Sequence, residues 1–220
     1  MNLPFLTRTS SSLREQMVES QLRARGITDQ RVLAAMARVP RDEFVAEEYR
    51  GQAYEDHPLP IGEGQTISQP YIVALMLQLL ELRPGDQVLE VGAGSGYATA
   101  LLAEIVSAVV SIERHARLAD AARTQFERLG LKNVRLVAGD GSRGFPELAP
   151  YDAILVSAAA PELPRALLAQ LVEGGRMIIP VGSGDAQQLQ LIRISNGQPQ
   201  ITLRELCRFV PLVSGSNLAG

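Results

Sequence analysis

The segment Glu90-Val91-Gly92-Ala93-Gly94-Ser95-Gly96-Tyr97 sets three glycines at alternate positions, behind a short apolar run and ahead of a helical pattern. A strand that runs into glycines and then a helix presents backbone N–H groups and a helix terminus to a ligand. Glycine also permits close backbone approach and positive φ. The dinucleotide fingerprint needs glycine at its first, third and sixth positions, and counting from Gly92 the sixth is Tyr97, so that fingerprint is not met. An acid, Glu90, stands ahead of the glycines. Glu113 closes the next apolar run, where a carboxylate can accept hydrogen bonds from both hydroxyls of a ribose. Asp140-Gly141 follows the third run; its acid can accept from an exocyclic amine of adenine, and its glycine leaves room for the ring. Each feature alone has a plain explanation: a tightly packed turn, a solvated strand end, an Asp-Gly turn. Together, at the carboxyl ends of three successive strands, they form one crevice at a topological switch point.

The elements that must position these residues follow from hydrophobic periodicity. Residues 88–91, 109–112, 134–137, 153–156 and 177–181 are short, nearly continuous apolar runs. Helical patterns lie between them over residues 97–105, 116–129 and 164–171. Strands apolar on both faces, alternating with helices, indicate a parallel sheet covered on two sides. Residues 189–194 and 201–210 lack an intervening helix and read as a closing antiparallel hairpin around Ser195-Asn196-Gly197-Gln198, because Asn-Gly is a strong turn signal. Ahead of this core, residues 1–12 are a polar, frayed lead. Ser11 or Ser12 caps a helix over residues 13–25 that Gly26 ends. A second helix opens at Thr28-Asp29-Gln30, carries Val32, Leu33 and Met36 on one face, and stops at Pro40. Residues 41–65 read as loop. The first quarter is thus a helical layer without a core of its own. The expected fold is α/β, a doubly wound, mostly parallel sheet with an N-terminal helical layer and a C-terminal antiparallel hairpin. It forms a single domain: helical lead and acceptor loop over 1–69, core over 70–213, tail over 214–220.

Composition closes several doors. The chain has 220 residues, 46% hydrophobic and 20% charged, with a net charge of −3. That length supports a core without disulfide or metal staples, and no metal is expected. Cys207 is the only cysteine, so no internal disulfide can form, which fits a reducing compartment. Lys132 is the only lysine among 21 basic residues, which are scattered and form no basic arm. This argues against binding nucleic acid by charge neutralisation. The longest apolar stretch, residues 71–82, contains Gln78 and Glu81 and is too short to span a membrane. Residues 1–6 lack a basic, then apolar, signal-peptide pattern. The expectation is a cytoplasmic monomer with no membrane or nucleic-acid partner.

The acid-x-Gly-x-Gly-x-Gly pattern at Glu90–Gly96 resembles motif I of class I S-adenosylmethionine-dependent methyltransferases, whose fold is Rossmann-like. A more specific likeness lies upstream. Leu59-Pro60-Ile61-Gly62-Glu63-Gly64-Gln65-Thr66-Ile67-Ser68-Gln69-Pro70 resembles the signature of protein-L-isoaspartate (D-aspartate) O-methyltransferases. The similarity continues through Gly26-Ile27-Thr28-Asp29, Val39-Pro40-Arg41, Ala158-Ala159-Ala160-Pro161-Glu162-Leu163-Pro164, Leu171-Val172-Glu173-Gly174-Gly175-Arg176 and Arg208-Phe209-Val210-Pro211-Leu212, covering roughly residues 13–213. The tail from Ser214 has no close counterpart in it.

The resemblance implies a repair enzyme that methylates the free α-carboxylate of L-isoaspartyl residues, and less well D-aspartyl β-carboxylates, in damaged proteins. The alternative is a class I methyltransferase with a different small-molecule or protein acceptor. S-adenosylmethionine would be held by Thr66, Ile67, Ser68, Glu90, Gly92, Gly94, Gly96, Glu113, Asp140 and Gly141, and the peptide by Ser68, Phe209 and Val210. The resemblance gives Ser68 the catalytic role. Read from residues alone, Ser-Gln-Pro ahead of an apolar run is a helix N-cap, and the two roles can coexist. The chemistry agrees with a poor supply of bases. A carboxylate is ionised at pH 7 and needs no general base; His57 and His115 are assigned no role. Residues 209–212 can pair with an extended peptide or form an ordinary edge strand.

Overall fold

The computed structural model describes residues 9–215; the first eight residues of the expected frayed lead over 1–12 and the tail beyond 215 lie outside the described residues, and Ser10–Ser12, expected in that lead, are already helical. The first helix, α1 (Ser10–Gln16), continues as a π-turn (Met17–Leu22) and a 3₁₀ turn (Arg23–Arg25) and ends at Gly26, φ 90°. Its cap is Thr9, not Ser11 or Ser12: Ser12 N–H donates to Thr9 Oγ1 at 3.4 Å. Asp29 caps α2 (Gln30–Arg38) by accepting from the Arg31 amide. Met17, Leu22, Leu33 and Met36 join one buried cluster with Leu77 of α3 (Pro70–Leu79) and Leu101 of α4 (Tyr97–Ile105). The helical lead therefore buries its apolar stripe against the outer helices of the core.

Residues 41–65 are more ordered than a loop. Two 3₁₀ turns (Arg41–Phe44, Glu47–Gln52) lead into β1 (Leu59–Gly62), which pairs antiparallel with β2 (Gln65–Ile67). These strands are too short for a period-2 signal to emerge from the sequence.

The main sheet comprises β3 (Gln87–Val91), β4 (Ala108–Glu113), β5 (Val134–Ala138), β6 (Tyr151–Val156), β7 (Leu171–Val181), β8 (Gln187–Ser195) and β9 (Gln198–Cys207), in the order β5-β4-β3-β6-β7-β8-β9. The first five strands pair parallel and the last two antiparallel. Strand order reverses at β3, which pairs with β4 on one side and β6 on the other, the switch point where crevices form. Helices α4 and α5 (Ala116–Leu129) match the expected spans. The expected helix over 164–171 shrinks to α6 (Arg165–Leu168), because Leu171 already pairs with Tyr151 as the start of β7. The β8–β9 turn is the two-residue Asn196-Gly197 connection, both at positive φ. Strand β9 stops at Cys207 rather than Val210, because the chain then leaves to pair beside Ala159: Ala159 N–H donates to Val210 O at 2.8 Å and Leu212 N–H to Ala159 O at 2.7 Å. Among the described residues, no helix is long and apolar enough to cross a membrane.

One buried ion pair ties this scaffold together. Arg176 on β7 meets Asp86, just ahead of β3, at 2.5 Å, and its Nε donates to Leu80 O beyond α3 at 2.8 Å. Both side chains are under a tenth exposed. Removing one partner of such a pair strands a buried charge. Asp86→Ala should lower unfolding free energy by about 3–5 kcal/mol, read as a drop in urea midpoint. A loss below about 1 kcal/mol would mean that the carbonyls alone satisfy Arg176.

Candidate active site

The glycine loop leaves β3 and folds back across the end of β4. Gly92 N–H and Ala93 N–H both donate to Ile112 O, at 2.9 and 3.1 Å. Gly94 N–H then donates to Glu113 Oε2 at 2.7 Å, and His115 N–H to Glu113 Oε1 at 2.8 Å. The loop ends at Gly96, φ 88°, where an added Cβ would lie 2.5 Å from the Phe126 ring on α5. Gly96 is required there because α5 packs against the loop. Gly141 answers a similar demand: a Cβ would come within 2.6 Å of Val91 Cγ1.

A cavity opens over this loop. Its walls include Thr66, Ile67 and Ser68 from β2 and the residue beyond it, Val91, Gly92 and Gly94, Glu113, Gly141 and Ser157. A second cavity continues past Ser68 between Gln69 and Ile72 of the α3 start, the 182–185 loop, and Phe209 and Val210. Thr66, Ser68, Ser157 and Val210 face both cavities. Seven of the expected residues thus share the first cavity directly, Val210 with them, and Phe209 lines the second. Three do not reach a wall of either.

Gly96 is one, for the packing reason just given. Glu90 is another. Its carboxyl is fully buried beneath β3, where Oε2 accepts from the Ser111 hydroxyl at 2.6 Å and from Thr99 on α4. Burial pushes its pKa up to about 7, against the pull of those two hydroxyls and with the charge of Glu113 adding to the rise. Its Oε1 has no partner among the described residues. Asp140 is the third: its carboxylate accepts from Ser142 N–H at 2.9 Å and from Gly215 N–H at 2.8 Å. Burial works to raise its pKa, but these bonds and the nearby Arg114 charge hold it below the usual carboxylate value. Arg114 in turn donates to Val213 O and Gly215 O, so the end of the described chain crosses the rim between Arg114 and Asp140.

Ser68 is not the cap of α3. That position belongs to Gln69, with Pro70 opening the helix, and the Tyr71 amide is satisfied by Asp56 Oδ1 at 3.2 Å. Among the described residues the Ser68 hydroxyl makes no hydrogen bond, so it is available to a ligand where the two cavities meet. His57 lines neither cavity: it is mostly occupied by Glu55 and Pro58 O, each at 3.0 Å. Those bonds, that to Pro58 first, raise its pKa.

Residues the sequence left unmarked also shape the site. Ile61 of β1 reaches over the loop, its Cδ1 within 3.2 Å of a Cβ built on Gly94. Glu63 at the β1–β2 tip, φ 52°, lies 3.6 Å from Arg117 and 3.9 Å from His115. The Gly62-Glu63-Gly64 turn was the available signal for this flap.

The chain matches the family model described as Protein-L-isoaspartate(D-aspartate) O-methyltransferase over residues 12–217. A protein-L-isoaspartate O-methyltransferase of Koribacter versatilis is 55% identical over 200 residues, covering 91% of this chain and 90% of the relative. One from Pelobacter propionicus is 55% identical over 216 residues, covering 97% and 95%. Among solved structures, a Plasmodium falciparum protein described as a putative protein-L-isoaspartate O-methyltransferase, in complex with S-adenosyl-L-homocysteine, is 30% identical. It superposes with a TM-score of 0.80 over 91% of this chain and 98% of its own. With a family model spanning nearly its whole length, the chain belongs to the protein-L-isoaspartate(D-aspartate) O-methyltransferase family.

Proposed function

We propose that the protein transfers a methyl group from S-adenosylmethionine to the free α-carboxylate of L-isoaspartyl residues, and less well to D-aspartyl residues, in damaged proteins. The observation that carries this is the unengaged Ser68 hydroxyl at the junction of two cavities. When bound, S-adenosylmethionine supplies an electrophilic methyl on a sulfonium. The first cavity suits it: Gly92 and Gly94 give a side-chain-free cradle, Glu113 offers carboxylate oxygens toward ribose hydroxyls, and Thr66 and Ile67 wall the opposite side. Gly141 borders the adenine end. Glu90 lies beneath the loop, its Oε1 without a partner among the described residues. Asp140 can meet the adenine amine once the Gly215 amide yields its place.

The isoaspartyl carboxylate would enter the second cavity, with Phe209 and Val210 alongside the peptide. Two backbone groups of that segment are already engaged, Val210 O by Ala159 and Phe209 N–H by Gln187. The peptide is left with Val210 N–H and Phe209 O. Ser68 O–H donates to one carboxylate oxygen and leaves the other to attack in line. Such placement is the main demand on the site, because the nucleophile is already ionised. We further infer a single-domain monomer acting in the cytoplasm, in keeping with a net charge of −3 and no basic arm.

Labelled methyl from S-adenosylmethionine should pass to an isoaspartyl peptide and not to its aspartyl twin; equal labelling of both would sink the proposal. A hydrogen bond to a charged group contributes about 1.5–3 kcal/mol. Ser68→Ala should therefore lower kcat/KM roughly 10- to 100-fold while cofactor affinity holds. Unchanged turnover would return Ser68 to a structural part.

Glu90→Gln should move binding and stability in opposite directions. Cofactor affinity should fall. Stability should rise relative to wild type as pH increases, because the native carboxyl titrates near 7 and the unfolded one near 4.5. Below about pH 4.5 both states are protonated; between the two values only the unfolded chain ionises, and wild-type stability declines. At pH 8 the variant should be more stable by on the order of 2–3 kcal/mol. Parallel urea midpoints from pH 5 to 8 would contradict this.

A further inference from the structure

We propose that Asp56 is a positioning residue for methyl transfer, one that fixes the Ser68 hydroxyl at the junction of the two cavities. It lines neither cavity itself. Its side chain instead reaches both sides of Pro70. Oδ2 accepts from Gln69 Nε2 at 2.7 Å, and the same Nε2 donates to Asp56 O at 3.0 Å. Oδ1 accepts from Tyr71 N–H at 3.2 Å. Arg25 closes the arrangement: it pairs with Asp56 Oδ2, and its guanidinium lies 3.5 Å above the Tyr71 ring.

Ser68 sits directly ahead of this cluster, and its hydroxyl has no hydrogen bond among the described residues to hold it. On its N-terminal side the chain is held by the Leu59–Ile67 pair of the β1–β2 ladder. On its C-terminal side it is held by Asp56 through Gln69 and Tyr71. Both tethers originate in one short stretch, residues 56–59. Gln69 has non-helical backbone at the helix cap (φ −49°, ψ 134°) and no side-chain bond into its own helix; its amide is spent on Asp56 instead. Asp56 thereby supplies the first-turn acceptor and the favourable negative charge at the α3 N-terminus. Ser68 is relieved of that duty and left free for substrate. Small errors in such placement are costly to rate, since a displacement of about 1 Å can cost roughly 100-fold.

This assignment rests on the proposed role of Ser68, so the test is a double-mutant cycle with Ser68. Asp56→Asn should lower kcat for an isoaspartyl peptide at least about tenfold. Calorimetric affinity for S-adenosylhomocysteine should stay within about twofold. In a Ser68→Ala background, Asp56→Asn should have little further effect on kcat/KM, because both changes remove the same interaction. Gln69→Leu, which keeps the Arg25–Asp56 pair and the Tyr71 bond, should reproduce most of the kcat loss and gives the answer if Asp56→Asn does not fold. If Ser68→Ala is impaired and Asp56→Asn multiplies that loss, Asp56 acts elsewhere and the assignment fails while the Ser68 role stands. A parallel fall in cofactor affinity overturns it in the same way. Full turnover in Ser68→Ala overturns both.

Discussion

Two amides share one carbonyl at the centre of this protein. Gly92 and Ala93 both donate to Ile112 O, which bends the chain leaving β3 over the end of its neighbour β4. The bend holds Gly92 at φ 91°, a conformation that residues with a side chain rarely adopt. It also brings Gly94 N–H onto Glu113, so the acid that closes β4 becomes a wall of the crevice and not a solvated strand end. Everything further out is arranged around that bend. Helix α4 starts from it, α5 packs on Gly96 at its far side, and the β1–β2 flap lays Ile61 over its middle. The ion pair between Asp86 and Arg176 then fixes the base of β3, so the loop rests on a strand anchored at both ends.

The core could be read from the chain because its signals are periodic and local. Residues 97–105 and 116–129 show helical spacing between apolar runs, and both helices occupy those spans. Asn196-Gly197 specifies its turn through two positive φ angles that few other pairs accept. What escaped reading depends on contacts distant in sequence. β1 and β2 have four and three residues, with a register shift between Pro60 and Gly62, so alternation never becomes visible. Gly96 looks like one more ligand-facing glycine until Phe126 is placed beside it. Ser68-Gln69-Pro70 looks like a serine cap until Asp56, twelve residues upstream of Ser68, supplies the acceptor. The peptide alone cannot tell which of two adjacent polar residues is the one left free.

The site economises on chemistry and invests in shape. An acceptor that is already an anion asks for no base; of the two histidines, His57 lies off both cavities and His115 lines the first beside Glu113. What remains is exclusion and alignment: apolar walls at Ile67, Val73 and Val91, glycines where side chains would intrude, and the hydroxyls of Thr66, Ser68 and Ser157 where the two cavities meet. Recognition as proposed, of one carboxylate and a short backbone segment, would be indifferent to the surrounding sequence. That suits an enzyme whose acceptors share a lesion and little else. The cost is borne in stability by Glu90, a carboxyl kept in the dry interior where its ionised form is disfavoured.

The hairpin between β8 and β9 bears on the lifetime of the molecule itself. Its exposed tip is Asn-Gly, the dipeptide in which a backbone nitrogen most easily attacks the neighbouring side-chain amide, since glycine offers that nitrogen no steric shield. Here the nitrogen in question, Gly197 N, is engaged by Glu173 Oε2 at 3.0 Å, and Asn196 N–H by Oε1 at 2.7 Å. A tight turn chosen for its backbone angles thus brings a chemical clock into a repair protein, and a single carboxylate from the start of β7 sits on its hand.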